Sequence, residues 1–186
     1  GLLENNKGVH IENRKIKLDF LTDKDLQAIK VAKKLGVKNY ALSFTNSLSD
    51  ILKFKSILKK ENKIFKIETI KAVKNIKEIL NNGSEFVIDR GDLSKEVKIE
   101  NIPKIQRKIF KISKKYKNKS IYIATNLLES MIYNQYPTRG EANDIYNSLE
   151  MGAAGLVLAA ETAIGKHPEE TVIFIKKMIT SFKKEN

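Results

Sequence analysis

The residues best suited to chemistry follow two successive apolar segments of the sequence. Lys66 and Glu68 stand two positions apart at the end of "KIFKIE", so a strand would direct both side chains to the same face. Asp92 comes shortly after the next apolar segment, "EFVI". Neighbouring strands lie about 5 Å apart, which lets Glu68 and Asp92 approach one cation. Two carboxylates completed by water and substrate oxygens suit Mg²⁺, and Lys66 supplies a fixed positive charge beside them.

Gly91 and Thr125 extend this candidate site. Glycine lets the backbone approach a ligand closely, and its N–H can bind an anion. Thr125 offers a hydroxyl at the end of another strand-like segment, "SIYIAT". Each feature also has a structural interpretation, because a Lys-x-Glu pair is often a salt bridge at the rim of a sheet and a threonine often caps the next helix.

Arg90-Gly91-Asp92 also spells a tripeptide associated with cell adhesion. Adhesion would require an exposed, flexible loop in a secreted protein. Here the tripeptide directly follows a buried strand, so the sequence favours a metal ligand over an adhesion motif.

Strand-like and helix-like segments alternate from residue 22 onward, which predicts an α/β fold of parallel strands with crossover helices. Capping boxes at Thr22 and Thr138 mark two helix starts, and Pro103 fits the first turn of a third. Strands are predicted near 40–44, 63–68, 85–89, 120–125 and 155–160. Helices are predicted from 22 to 36, 47 to 60, 69 to 82, about 103 to 117, 127 to 133, 138 to 152 and from 168.

The number of strands indicates part of a (β/α)₈ TIM barrel. No glycine-rich phosphate loop follows any strand, which argues against a dinucleotide-binding fold. Five consecutive βα units cannot close a barrel that needs eight. Barrel enzymes carry their chemistry at the carboxyl ends of the strands, where the candidate residues are predicted to lie.

Composition excludes several classes of protein. The chain has 186 residues, no cysteine and only two histidines, which rules out disulfides and argues against a histidine-built metal site. Its formal net charge is +13. In the most basic stretch, residues 104–120, isoleucines recur at helical spacing, so the lysines are expected on a solvated helix face rather than on nucleic acid. No membrane span or signal peptide is recognisable, and a cytoplasmic protein is expected.

Motifs along nearly the whole chain resemble the pyruvate kinase family. They occur in the family's order, which makes the set specific although each motif alone is weak. They are "KGVHI" (7–11), "LTDKD" (21–25), "SF" (43–44), "KIE" (66–68), "RGDL" (90–93), "ATNLLESM" (124–131), "PTRGEANDI" (137–145) and "ETAIGKHP" (161–168).

The resemblance implies a glycolytic phosphotransferase that converts phosphoenolpyruvate and ADP to pyruvate and ATP. Lys66 would stabilise the transition state, and Glu68 and Asp92 would bind Mg²⁺ or Mn²⁺. Gly91, Asp92 and Thr125 would hold the substrate, with Thr125 near the enol carbon. The family also implies K⁺, with its ligands outside this sequence, and a cytoplasmic homo-oligomer, a tetramer, without nucleic-acid or membrane partners.

The family's barrel begins with three further strand units and is interrupted by a lid domain. The sequence starts at Gly1, and the resemblance implies a fragment in which residues 1–20 return from the lid domain and residues 21–186 form barrel units. We therefore expect activity only with the N-terminal part of the enzyme. Departures from the family pattern leave the named catalytic residues in place and indicate a divergent member; they are Thr45-Asn46, Ser94, Asn126-Leu127 and Ala159-Ala160.

Two other functions remain open at this point. A Mg²⁺-dependent lyase or aldolase of a related pyruvate-binding barrel would act on an enolate without a nucleotide. A non-catalytic protein, either a decayed homologue or a basic nucleic-acid binder, would not depend on Glu68 or Asp92.

Overall fold

The computed structural model describes residues 20–185. The predicted return segment 1–20 therefore lies, apart from its last residue, outside the described part. The chain divides into two compact units, residues 1–37 and residues 38–186. The described part of the first unit holds one helix, and the second unit holds the sheet.

Helix α1 in the first unit spans Asp23–Lys34 and begins as predicted. The Thr22 hydroxyl accepts from the Asp25 N–H at 3.2 Å, and the Asp25 carboxylate accepts from the Thr22 N–H at 2.8 Å. This reciprocal capping satisfies backbone donors that a helix start leaves free. Gly36 follows the helix at a φ of +76°, a left-handed conformation that suits glycine.

The second unit contains one five-stranded sheet, and every pair of neighbouring strands is parallel. The strands lie in chain order, as consecutive barrel strands do, which confirms the predicted fold class. Their bounds are β1 Asn39–Leu42, β2 Asn62–Ile67, β3 Glu85–Asp89, β4 Ser120–Ala124 and β5 Gly155–Val157.

Helices connect consecutive strands and follow the last one. They are α2 Leu48–Ile57, α3 Ile70–Lys74, α4 Ile76–Asn82, α5 Arg90–Glu96, α6 Ile102–Ser113, α7 Arg139–Glu150, α8 Ala160–Ala163 and α9 Pro168–Glu185, with 3₁₀ turns at Ile99–Asn101 and Glu129–Ile132. Helix α2 packs against α4, α4 against α6, and α7 against α9. Within residues 20–185, every helix is too short or too polar to cross a lipid bilayer.

Apolar side chains of the central strands form the core. Phe65 of β2 and Phe86 of β3 are almost fully buried, and their ring centroids are 6.1 Å apart. Phe54 of α2 meets Phe65 edge-to-face at the same separation. Burying side chains of this size stabilises the fold by about 1.5–3 kcal/mol each, so this cluster ties the helical layer to the sheet on which the site is built.

Several element bounds differ from the predictions. The helix expected over 69–82 is split at Asn75, whose side-chain amide donates to the Asn46 carbonyl at 2.8 Å instead of remaining on the helix surface. Helix α6 ends at Ser113 rather than near residue 117, and the Ser113 hydroxyl donates to the Phe110 carbonyl. The last strand stops at Val157, because the chain turns into α8 at Ala160. The piece expected over 127–133 is a 3₁₀ turn.

Helix α5 is the largest departure. The third strand ends at Asp89, as predicted, but a helix that the sequence did not predict begins at once and contains Arg90, Gly91 and Asp92. Asp89 is the N-cap residue, and its side chain accepts from the Asp92 N–H. Asp92 thus lies in the first turn of α5. The Asp-x-x-Asp spacing of residues 89 and 92 is a helix-start signal that could have indicated this.

Candidate active site

Strand register brings the candidate residues together at the carboxyl edge of the sheet. Ile67 of β2 pairs with Ile88 of β3, so Glu68 and Asp89 follow at the same level. Asp89 pairs with Ala124 of β4, which places Thr125 beside the start of α5. Parallel strands end on the same side of a sheet, so residues distant in sequence converge here without any local sequence signal.

The Lys66 ammonium lies between two carboxylates. Its Nζ is 2.5 Å from Glu68 Oε1 and 2.9 Å from Asp89 Oδ2. The Glu68 side chain is fully buried and that of Asp89 is 10% exposed, whereas Lys66 retains 24% exposure. The sequence predicted that Lys66 and Glu68 share a face, but Asp89 was not among the predicted site residues.

Burial and ion pairing act in opposite directions on these groups. Burial raises the pKa of Glu68 and outweighs the hydrogen bonds from Lys66 and the Phe44 N–H that favour its ionised form. For Asp89, burial also favours the neutral form, but the bond and charge of Lys66 prevail and lower its pKa. Burial works against the charge of Lys66 too, yet the two carboxylates raise its pKa. The pKa shifts of Lys66 and Asp89 therefore both favour the ionised form of each group.

Asp92 completes a cluster of three carboxylates. One oxygen each from Glu68, Asp89 and Asp92 lie within 4.8 Å of one another. The Asp92 Oδ1 also accepts from the exposed Lys95 at 2.5 Å, one turn along α5. The structure thus brings together the two residues predicted as metal ligands and adds a third acid.

Gly91 and Thr125 meet directly. The Thr125 Oγ1 accepts from the Gly91 N–H at 2.7 Å, and it lies 3.3 Å from Asp89 Oδ1. Thr125 therefore contacts α5 rather than capping the helix that follows it in sequence. The Gly91 N–H, considered from sequence as an anion donor, is bonded within the chain. A Cβ on Gly91 would lie 3.3 Å from Thr125 Oγ1, so glycine fits this close approach.

Arg90 holds the loop that carries Thr125, a role that the sequence did not reveal. Its guanidinium is buried and donates to the Thr125 carbonyl from Nε at 3.1 Å and Nη2 at 2.7 Å. It also donates to the Asn126 carbonyl at 3.0 Å and pairs with Asp144 of α7 at 2.5 Å. Thr125 and Asn126 have left-handed φ values of 66° and 54°, which cost energy for residues other than glycine. Arg90 thus stabilises a strained backbone at the site.

Phe44 contributes from the loop after β1. Its N–H donates to Glu68 Oε2 at 2.5 Å, and its φ is 51°. The neighbouring Thr45 is buried and donates its hydroxyl to the Leu42 carbonyl at 3.1 Å, a bond that fixes the start of this loop.

The donor set fits a hard divalent cation. Mg²⁺ and Mn²⁺ prefer carboxylate oxygens and retain water or substrate oxygens in their remaining positions. Glu68 and Asp92 offer such oxygens at one end of the sheet, and among residues 20–185 no histidine joins the cluster. Lys66 and Lys95 beside them would repel a cation, but the three carboxylates outnumber the two ammonium groups.

Comparison with known proteins identifies the family. The model of the pyruvate kinase barrel domain matches residues 1–172. A pyruvate kinase of Thermotoga maritima is 39% identical over 189 residues, which cover 100% of this chain and 40% of the relative. Pyruvate kinases of Methanocaldococcus jannaschii and Thermococcus litoralis are 38% and 37% identical, each over 96% of this chain and 40% and 38% of the relative.

The chain thus spans about two fifths of the length of the curated relatives it matches. The match extends over most of the chain and includes the strands that build the site. The five-stranded parallel sheet is part of a (β/α)₈ barrel, and the chain belongs to the pyruvate kinase family.

Proposed function

We propose that this chain carries the cation-binding part of an active site that transfers a phosphoryl group from phosphoenolpyruvate to ADP, giving pyruvate and ATP in glycolysis. One observation carries the proposal. In a member of the pyruvate kinase family, the Lys66 ammonium lies among buried carboxylates at the carboxyl edge of the sheet, where barrel enzymes bind their substrates.

Glu68 and Asp92 are the proposed ligands of Mg²⁺ or Mn²⁺. When bound, the cation would neutralise negative charge on the phosphoryl group and on the enolate oxygen. Lys66 would add a positive charge where the transferred group passes. It is suited to that role because its two carboxylate partners keep it charged in a partly buried position.

Thr125, Gly91 and Asp92 are the proposed substrate-binding residues. The Thr125 hydroxyl would lie near the enol carbon that becomes a methyl group. Arg90 would fix its position through the Thr125 carbonyl, and the Gly91 N–H would orient its oxygen. A hydroxyl held from both sides loses little freedom when substrate binds, which favours catalysis.

The whole enzyme's other properties belong to the same proposal. They are K⁺ dependence with ligands outside these 186 residues, ADP and ATP binding that includes contacts from further polypeptide, a homotetramer, and a cytoplasmic location. These follow from the family, whose curated relatives are more than twice as long as this chain.

The test is pyruvate formation by the natural polypeptide that contains residues 1–186, supplied with phosphoenolpyruvate, ADP, K⁺ and Mg²⁺ and coupled to lactate dehydrogenase. Lys66→Met is expected to lower kcat by about 10²–10³, the usual effect of removing one charged donor from a preorganised site. Glu100→Gln, a carboxylate change on the exposed 3₁₀ turn, serves as the control and should stay within about twofold of wild type.

Equal rates in wild type and Lys66→Met would refute the proposed role of Lys66. Pyruvate production that does not need ADP would favour the lyase function instead. The 186-residue chain assayed alone is expected to form no pyruvate, and measurable ADP-dependent turnover by it would show that the proposed external contacts are dispensable.

A further inference from the structure

Glu68 has both carboxylate oxygens engaged by the protein. Oε1 lies 2.5 Å from the Lys66 ammonium, and Oε2 accepts from the Phe44 N–H. A divalent cation at Oε1 would stand beside a second positive charge in a buried place, where repulsion is poorly screened. For Glu68 to bind a cation, Lys66 must therefore move off Glu68 without leaving the site.

Asp89 is the group that can retain Lys66 when this happens. Its Oδ2 is 2.9 Å from the Lys66 Nζ, and its own side chain is only 10% exposed. Its other oxygen, Oδ1, lies 3.4 Å from the Asp92 N–H and 3.3 Å from Thr125 Oγ1. One oxygen of Asp89 is thus fixed by α5 and by Thr125, which follows β4, and the second oxygen is offered to Lys66.

We propose that the three carboxylates divide their work, so that Asp89 is a positioning residue that holds Lys66 while Glu68 and Asp92 take the cation. This inference rests on the proposed function, because it assigns a role within the same site. Asp89 acts through Lys66 and is not itself a metal ligand.

Asp89 also caps α5, and the test must separate that role from the one proposed. Asparagine caps a helix about as well as aspartate, since its side-chain oxygen accepts the same N–H bond. Asp89→Asn therefore keeps the cap and removes the charge that pairs with Lys66. Asp89→Glu, a second variant, keeps the charge and lengthens the side chain by one methylene.

The experiment is a double-mutant cycle on Mn²⁺ affinity, with free Mn²⁺ measured by electron paramagnetic resonance and no substrate present. It compares Asp89→Asn in the wild-type background and in the Lys66→Met background of the natural polypeptide. Without Asp89, Lys66 has only Glu68 as its partner and competes with Mn²⁺ for it. Asp89→Asn is therefore expected to weaken Mn²⁺ binding by a factor about tenfold larger when Lys66 is present than in the Lys66→Met background. A coupling of this size is common between residues in contact.

A loss of Mn²⁺ affinity that is larger in the Lys66→Met background than with Lys66 present would identify Asp89 as a metal ligand. If Asp89 bound the cation directly, removal of Lys66 would free it to do so, and Asp89→Asn would cost as much or more in the Lys66→Met background. Equal or reversed penalties therefore overturn the proposal. Asp89→Glu is expected to bind Mn²⁺ within about threefold of wild type, and a loss as large as that of Asp89→Asn would likewise contradict a role based on charge.

A third variant, Glu68→Gln, tests the proposed metal site independently of the role of Asp89. Loss of Mn²⁺ binding in Glu68→Gln together with equal penalties for Asp89→Asn overturns the role of Asp89 alone. Unchanged Mn²⁺ binding in Glu68→Gln overturns both the metal site and the inference built on it. Glu100→Gln is the matched control for loss of one carboxylate charge outside the cluster.

Discussion

Replacement of Arg90 tests how the Thr125 loop is held. The guanidinium donates to two backbone carbonyls, those of Thr125 and Asn126, and pairs with Asp144. Arg90→Ala leaves the carbonyl of the half-buried Thr125 without its two donors, at about 1–3 kcal/mol, whereas the exposed Asn126 can be hydrated; loss of packing by the buried Arg90 side chain adds to this cost. Asp144 is 38% exposed and can be hydrated, so loss of its ion pair adds little.

The expected destabilisation by Arg90→Ala is about 3 kcal/mol. Arg90→Lys retains the charge but not the several N–H donors of the planar guanidinium, and we expect it to destabilise the protein by about 2 kcal/mol. Asp144→Asn should cost about 1 kcal/mol or less. Urea unfolding followed by circular dichroism measures these values as shifts in midpoint at an unchanged slope. If Asp144→Asn were as costly as Arg90→Ala, the ion pair and not the bonds to the carbonyls would be what stabilises the loop.

Three local predictions follow from packing and capping. Gly165→Ala would place its Cβ 2.2 Å from the Glu161 carbonyl oxygen, so it should destabilise the protein by about 2 kcal/mol or more. Gly140→Ala in α7 meets nothing nearer than 3.8 Å and should be neutral or up to about 1 kcal/mol stabilising; thermal unfolding of the two variants gives the comparison. For Glu141, burial opposes ionisation, but hydrogen bonds from Ser130 and Thr138 outweigh it and lower the pKa. Its stabilisation is therefore present above the unfolded pKa of about 4.3 and is lost as the pH falls towards the folded value, and Glu141→Gln should reduce the slope of unfolding free energy against pH in that range.

Local signals predicted much of the fold. The capping boxes at Thr22 and Thr138 lie where the sequence placed them, and all five strands occur in order. These features depend on residues three positions apart or on continuous apolar runs, which a sequence displays directly. The predicted ends of helices and strands were less accurate where a short polar or alanine-rich segment is compatible with more than one structure. An example is the segment after Val157, which was predicted to be strand.

The site was only partly predictable because its contacts are not local. Lys66 and Glu68 share a strand, and their pairing follows from spacing. Asp89 reaches Lys66 only through the register of two strands, and Arg90 contacts Thr125 and Asp144, 35 and 54 positions away. Nothing in the sequence around Arg90 distinguishes a buried arginine that hydrogen-bonds to a distant loop from an exposed one.

The division of roles among the three carboxylates can be seen in a crystal structure of the natural polypeptide with Mn²⁺ and phosphoenolpyruvate, in which an anomalous difference map locates the metal. We expect a peak about 2.2 Å from one oxygen each of Glu68 and Asp92, with the Lys66 ammonium still bound to Asp89. A peak ligated by Asp89 while Lys66 remains on Glu68, or a peak away from all three carboxylates, would contradict this division of roles.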